Sequence, residues 1–176
     1  MAFKTVKITP TLSLDAYADG DVLFVNTEFS LPHRSCKLIG GLVIDYEKQL
    51  RLDGVILYFM QRDKVDLGTI NATADISDAN LKLNQLIGAC QIGTGDVTTE
   101  LDNINMKVLS SFGDVDGSDE SVMQPVVLTS VGPDEEYQND PKSSTPMYIS
   151  GVIESISTGP DFAATDALDI ILYFEY

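Results

Sequence analysis

The side chains best able to carry out chemistry are few and scattered. His33 is the only histidine, in Leu31-Pro32-His33-Arg34-Ser35-Cys36. It rules out metal sites built on several histidines. It also leaves a Cys36–His33 pair as the one conceivable nucleophile–base couple. No third group is marked to orient that pair, so a loop histidine beside an unrelated thiol is the favoured reading. Asp114, Asp116, Asp119 and Glu120 form the densest carboxylate cluster. Calcium needs several converging oxygens, but the cluster lacks the D-x-[DN]-x-[DN]-G order and the distal Glu of an EF-hand. A solvated loop is favoured over a cation site. Gly93-Thr94-Gly95-Asp96 lacks the Gly-Lys-Ser/Thr ending of a phosphate loop and the third glycine of a dinucleotide fingerprint, and reads as a turn. Acids are plentiful enough for paired-carboxylate glycoside hydrolysis. The chain has no Trp to serve as a sugar platform, however, and its acids fall mostly in loop-like stretches. No catalytic, cofactor-binding or metal-binding residue is therefore assigned from sequence, and no cofactor is expected.

The elements that would position such groups are strands. Polar and apolar residues alternate over Thr5–Thr9, and further strands are expected at Val22–Phe29, Lys37–Glu47, Val55–Met60, Ala89–Ile92, Ile104–Val108, Val122–Val131, Met147–Ile156 and Leu168–Tyr176. The unbroken apolar run Val55–Met60 suggests a strand buried on both faces. In Lys37–Glu47, Gly40-Gly41 suggests a bulge or sharp bend. In Ile104–Val108 the apolar Ile104, Met106 and Val108 alternate with Asn105 and Lys107, the pattern of a half-buried strand. Pro125 pushes Val122–Val131 toward a sheet edge. The apolar C-terminal run should dock into a sheet. The one helix expected is Ser77–Ile87, capped by Ser77, with Leu83, Leu86 and Ile87 at helical spacing and Gly88 as its stop. The sum is a mainly β chain, a β-sandwich (jelly-roll-like) with one short α-helix, organised as a single domain over residues 1–176 with acidic loops at about 113–121 and 132–146.

Charge narrows the partners. Of 176 residues, 27 are acidic and 11 basic, for a net charge of −16. The segment from Asp96 to Asp140 holds eleven acids against one base and supplies −10 of that total. Such a surface repels phosphates, so nucleic acid is not an expected partner. No run of eighteen apolar residues suggests a membrane span, and the N-terminus lacks the apolar core of a secretory signal. A reducing cytoplasm is the expected place of synthesis, with Cys36 and Cys90 as free thiols.

Several segments, taken in order, resemble one family. Thr9-Pro10-Thr11-Leu12-Ser13-Leu14-Asp15-Ala16-Tyr17-Ala18-Asp19-Gly20-Asp21-Val22-Leu23-Phe24 resembles the opening of small virion proteins of tailed bacteriophages, notably those of aquatic bacteria. Leu67-Gly68-Thr69-Ile70-Asn71, Ile76-Ser77-Asp78-Ala79 and Met147-Tyr148-Ile149-Ser150-Gly151-Val152 continue the likeness, and the final strand Leu168–Tyr176 completes it. The region from Phe112 to Pro146 departs from it, with longer acidic loops. The resemblance implies a β-sandwich structural protein of the virion, a capsid decoration or cement protein on the outer capsid surface. The major capsid protein would be its partner, with self-association as dimer or trimer open. It carries over no catalytic residue. Edge strands and the arm Met1–Pro10 are the candidate docking elements. The alternative is a tail, baseplate or host-adhesion module that uses its acidic loops, and a glycan hydrolase ranks below both.

Overall fold

The computed structural model describes residues 1–50, 54–92, 98–101, 104–109, 126–130, 146–155 and 159–176. The acidic loop at 113–121, with Asp114, Asp116, Asp119 and Glu120, lies outside these residues. So do Gly93-Thr94-Gly95-Asp96 and all of the loop at 132–146 except Pro146.

Among the described residues, ten strands and one helix follow in the order β1 (Phe3–Ile8), β2 (Val22–Ser30), β3 (Ser35–Asp45), β4 (Gly54–Met60), α1 (Asp78–Asn84), β5 (Leu86–Ile92), β6 (Thr98–Leu101), β7 (Ile104–Val108), β8 (Val126–Thr129), β9 (Pro146–Ser155) and β10 (Leu168–Glu175). They form two antiparallel sheets. One runs β1-β10-β3-β7-β6, with β8 also paired to β3, and the other runs β2-β9-β4-β5. The pairings are nested: β1 with β10, β2 with β9, β3 with β8, β4 with β5. A two-stranded ribbon folded over itself in this way is a jelly roll, and the expected mainly β sandwich is what the chain forms. The β6–β7 hairpin is an addition. It pairs with the Leu42–Asp45 half of β3, on the edge where β8 takes Ser35–Leu38.

The core lies between the sheets. Val43, Ile170, Leu172 and Phe174 from the first sheet join one buried cluster with Phe24, Leu57, Phe59, Ile149 and Ile153 from the second. Burying each such side chain contributes about 1.5–3 kcal/mol. Strand β10 sits between β1 and β3, so the apolar C-terminal run does dock into a sheet, at an interior position. The bend expected at Gly40-Gly41 is a register shift: Tyr173 faces Gly40 but Phe174 faces Leu38, leaving Ile39 as the extra residue. Gly41 is needed there, because a Cβ would lie 2.9 Å from the Ile171 carbonyl oxygen.

Two segments of the family resemblance meet in space. Val22 N–H donates to the Ala72 carbonyl (2.9 Å), and Asn71 N–H donates to the Val22 carbonyl (2.9 Å). The tyrosine of the opening ties down the preceding loop. Tyr17 Oη accepts from Ser13 N–H at 2.6 Å and donates to the Leu23 carbonyl at 2.9 Å. Its ring meets Phe162 edge-on at 6.1 Å.

Three expectations are corrected. The helix is shorter than Ser77–Ile87. Ser77 caps it as expected, but Gln85 turns left-handed (φ 54) and Leu86 already pairs with Met60 in β5. Leu83 is 57% exposed, and Asn84 is the buried residue of the helix. The asparagine earns that place through hydrogen bonds: its Oδ1 accepts from Lys64 and Val65 N–H, and its Nδ2 donates to the Val65 carbonyl. Second, β4 is not buried on both faces. Val55, Leu57 and Phe59 enter the core, whereas on the outer face Met60 is fully buried but Ile56 and Tyr58 are only half-buried. Third, β7 is half-buried with the opposite sense to its pattern. Asn105 and Lys107 are each 1% exposed, facing inward opposite Asp45 and Val43, and Val108 is 50% exposed.

Candidate functional site

Cys36 and His33 are neighbours, but they meet through the backbone. The Cys36 thiol accepts from His33 N–H (3.2 Å) and donates to the His33 carbonyl (3.0 Å). The His33 ring instead stacks on Tyr176, with centroids 6.2 Å apart and planes 10° from parallel. Burial pushes the Cys36 thiol above its ordinary range, against the opposing pull of the His33 backbone. These contacts fasten the β2–β3 turn and do not activate a nucleophile. Cys90 lies fully buried on β5, where burial pushes its thiol up to about 12. Both cysteines are free thiols, as expected.

The best-formed constellation was not among the sequence candidates. It is a shallow hollow of about 510 Å³ on the outer face of the six-stranded sheet, lined in part by Lys7, Thr9, Tyr46, Glu47, Asp166 and Asp169. Three strands and the residues that flank them converge to make it. β1 contributes Lys7, and Thr9 follows that strand. Tyr46 and Glu47 follow β3, and Asp169 stands near the start of β10. Asp169 is 2% exposed and receives three donors: Lys7 Nζ at 2.7 Å, Thr9 Oγ1 at 2.6 Å and Tyr46 Oη at 2.6 Å. Burial alone would push its carboxyl up. The bonds from Lys7, Thr9 and Tyr46 outweigh that and hold it below the usual carboxylate range. The hydrogen bond to Asp169 holds the Lys7 ammonium above its ordinary range, and the same partner raises the Tyr46 phenol.

This electrostatic arrangement is that of a clamp. A general acid needs a raised carboxyl, and a nucleophilic lysine needs a lowered ammonium. Here both groups are displaced the other way. The clamp joins the N-terminal strand, the end of β3 and the last strand, across a sequence separation of 160 residues between Thr9 and Asp169. Glu47 adds a second tie by accepting from Ala163 N–H at 2.6 Å. The hollow beside these groups could hold a small polar molecule, facing the exposed side of the Lys7 ammonium and the exposed Asp166. The sequence offered one signal for it: a lone acid, Asp169, inside the apolar run Leu168–Phe174. The partners Lys7, Thr9 and Tyr46 carried none.

A second buried polar site stands at the β3–β4 connection. Asp45 is 2% exposed and accepts from Glu47 N–H (2.9 Å) and Leu50 N–H (2.6 Å). Burial raises its carboxyl, and these and neighbouring backbone donors oppose the rise. Among the described residues no three His, Cys, Asp or Glu side chains are grouped to hold a metal ion, and no helix is long and apolar enough to cross a membrane.

No protein-family model matches this chain, and neither the curated proteins nor the solved structures yield a match.

Proposed function

We propose that this chain is a capsid decoration protein of a tailed bacteriophage, non-catalytic, which binds the outer surface of the shell through the major capsid protein and stabilises it. The observation that carries this reading is the resemblance of its segments, in order, to small phage virion proteins. Two further features support it. The jelly-roll sandwich is an architecture that viral capsid proteins share with lectins and cupins, a likeness of fold and not of site. The Asp169 cluster ties three strands together and leaves its carboxylate saturated with donors. A cement protein needs that rigidity, because it works by holding its shape against a shell under internal pressure. A net charge of −16 would keep decorated particles dispersed.

The test is to add the purified chain to shells that lack it. Co-sedimentation to a saturating stoichiometry, with a higher rupture temperature for the decorated particle, is the expected outcome. Shells that neither bind the chain nor gain stability would sink the reading. A second reading, a tail or adhesion module, draws on the hollow beside Tyr46, where a tyrosine and carboxylates could meet a host glycan. Copy number separates the two: hundreds per particle for a capsid protein, about a dozen or fewer for a tail protein.

A further inference from the structure

The inversion of β7 has a consequence on the other side of its sheet. With Asn105 and Lys107 turned inward, Ile104, Met106 and Val108 must face out. Register places them beside outward-facing neighbours of the same kind. Val108 stands opposite Leu42 and Met106 opposite Ile44, while Leu42 stands opposite Ile171 on β10. With Tyr173, 38% exposed, these residues make a continuous apolar band across three strands. Phe3 on β1 (66% exposed) and Val127 on β8 (62% exposed) extend it at two corners.

The band is bounded by charge in an ordered way. At one end Lys7 pairs with Asp169 (2.7 Å), and at the other Lys37 pairs with Glu175 (3.5 Å). The two acids lie at opposite ends of β10, six residues or about 20 Å apart. Lys37 and Glu175 offset each other at their end, while Glu47 and Asp166 stand beside the Lys7–Asp169 pair and make that end acidic. The outer face of the other sheet carries exposed Glu28 and Glu154, with exposed Arg62, Asp63 and Lys64 beside it. Two copies of so acidic a chain repel one another over most of their surfaces. Among the described residues, the outer face of the six-stranded sheet sets an apolar band, with a lysine at each end, against that repulsion.

We infer that this face is a self-association surface, on which two copies of the chain pack sheet against sheet. A two-fold axis lying in the interface plane, through the middle of the band and across the strands, lays apolar residues on apolar residues. It also brings the Lys7–Asp169 end of one copy over the Lys37–Glu175 end of its partner, so that each lysine gains a second carboxylate. The four strands β1, β10, β3 and β7, at about 4.8 Å spacing, make a face roughly 20 Å square. A face of ~400 Å², apolar along its middle and charged at its ends, is within the size of the largest patch on an ordinary monomer, which is often a functional one. It is below the ~800 Å² per partner of a standard interface, so the dimer is weak and concentration-dependent.

The net charge gives the association a signature. Salt screens the repulsion between two acidic chains but leaves apolar burial intact, so added salt strengthens this dimer. Docking onto a basic partner would show the opposite dependence. The experiment is sedimentation equilibrium on the purified full-length chain, over a wide concentration range and from about 0.02 to about 0.5 M salt, where the screening length falls from about 20 to about 4 Å. The expected result is a monomer–dimer equilibrium whose association constant rises about tenfold or more with salt. Val108→Lys and Tyr173→Lys, at positions exposed enough to leave the fold intact, should each weaken it about tenfold or more at high salt. Leu83→Lys, on the exposed side of α1, should leave it unchanged. A chain that stays monomeric at every concentration and salt overturns the inference. So does a dimer indifferent to both Val108→Lys and Tyr173→Lys. The wild-type salt series needs no variant to fold, and the measurement uses the isolated chain. Its outcome is therefore independent of whether the protein binds phage shells.

Discussion

Replacing Asp169 with Asn removes a charge while keeping the side chain's shape. The carboxylate accepts Thr9 Oγ1 on one oxygen, and Lys7 Nζ and Tyr46 Oη on the other. An amide can still accept one hydroxyl through its oxygen. Its NH₂ group then points at the remaining donors, and it cannot accept from an ammonium. Hydrogen bonds to an ionised acceptor contribute about 1.5–3 kcal/mol each. The Lys7 ammonium is largely exposed, so its share is screened and no contribution is assigned to it. Losing one charge-assisted bond and opposing another should cost about 2–3 kcal/mol. With a urea m-value of about 2 kcal/mol/M, the midpoint should fall by about 1–1.5 M with no change in slope. Asp166→Asn, at an exposed position on the same hollow, should shift stability by less than about 0.5 kcal/mol. The pH dependence adds an independent check. The folded-state carboxyl of Asp169 lies below its unfolded value, so its contribution is fully present above about pH 4. That contribution is lost as pH falls through the lowered folded value. The gap between wild type and Asp169→Asn should therefore be full at pH 7 and close in strong acid, where the carboxyl is protonated and resembles the amide. A variant as stable as wild type at pH 7, or a gap unchanged down to about pH 2, would refute the clamp.

Two further outcomes follow from packing. A Cβ at Gly151 would meet the Phe24 ring, with Cδ1 and Cζ both 2.9 Å away and Cε1 nearer still, and Phe24 is fully buried. Gly151→Ala should therefore cost about 1–3 kcal/mol in chemical denaturation, and a neutral substitution would show that the ring has room to move. With burial raising both Cys36 and Cys90, the latter to about 12, thiol-specific reagents at pH 8 should label neither in the folded protein. They should label both after urea unfolding, and rapid labelling of native protein would contradict this burial.

The elements that local chemistry specifies were legible in the residues. Strands β2, β4, β9 and β10 lie where apolar runs stand between turn residues, and Ser77 caps the helix it was expected to cap. The end of that helix was not legible. Leu86 and Ile87 fit helical spacing, but from Leu86 onward the chain gains a ladder with β4, from Met60↔Leu86 to Val55↔Ile92. Those partners lie about 26 or more residues upstream, beyond any local window. The sense of β7 was hidden for a related reason. A period of two says that Ile104, Met106 and Val108 share a face, and nothing in it says which face meets the core. The Asp169 clamp was legible only as an acid out of place in an apolar run.

The sequence by itself determined a strand-rich chain with one short helix, a strongly acidic surface and no familiar catalytic motif, because composition, period and turn chemistry are local properties. Only the tertiary structure decided the nested pairing of the jelly roll, the three donors gathered on Asp169 and the apolar band left facing outward. Each of these depends on which distant strands become neighbours, and in a fold whose first strand pairs with its last, that choice is made by the packing of the whole core.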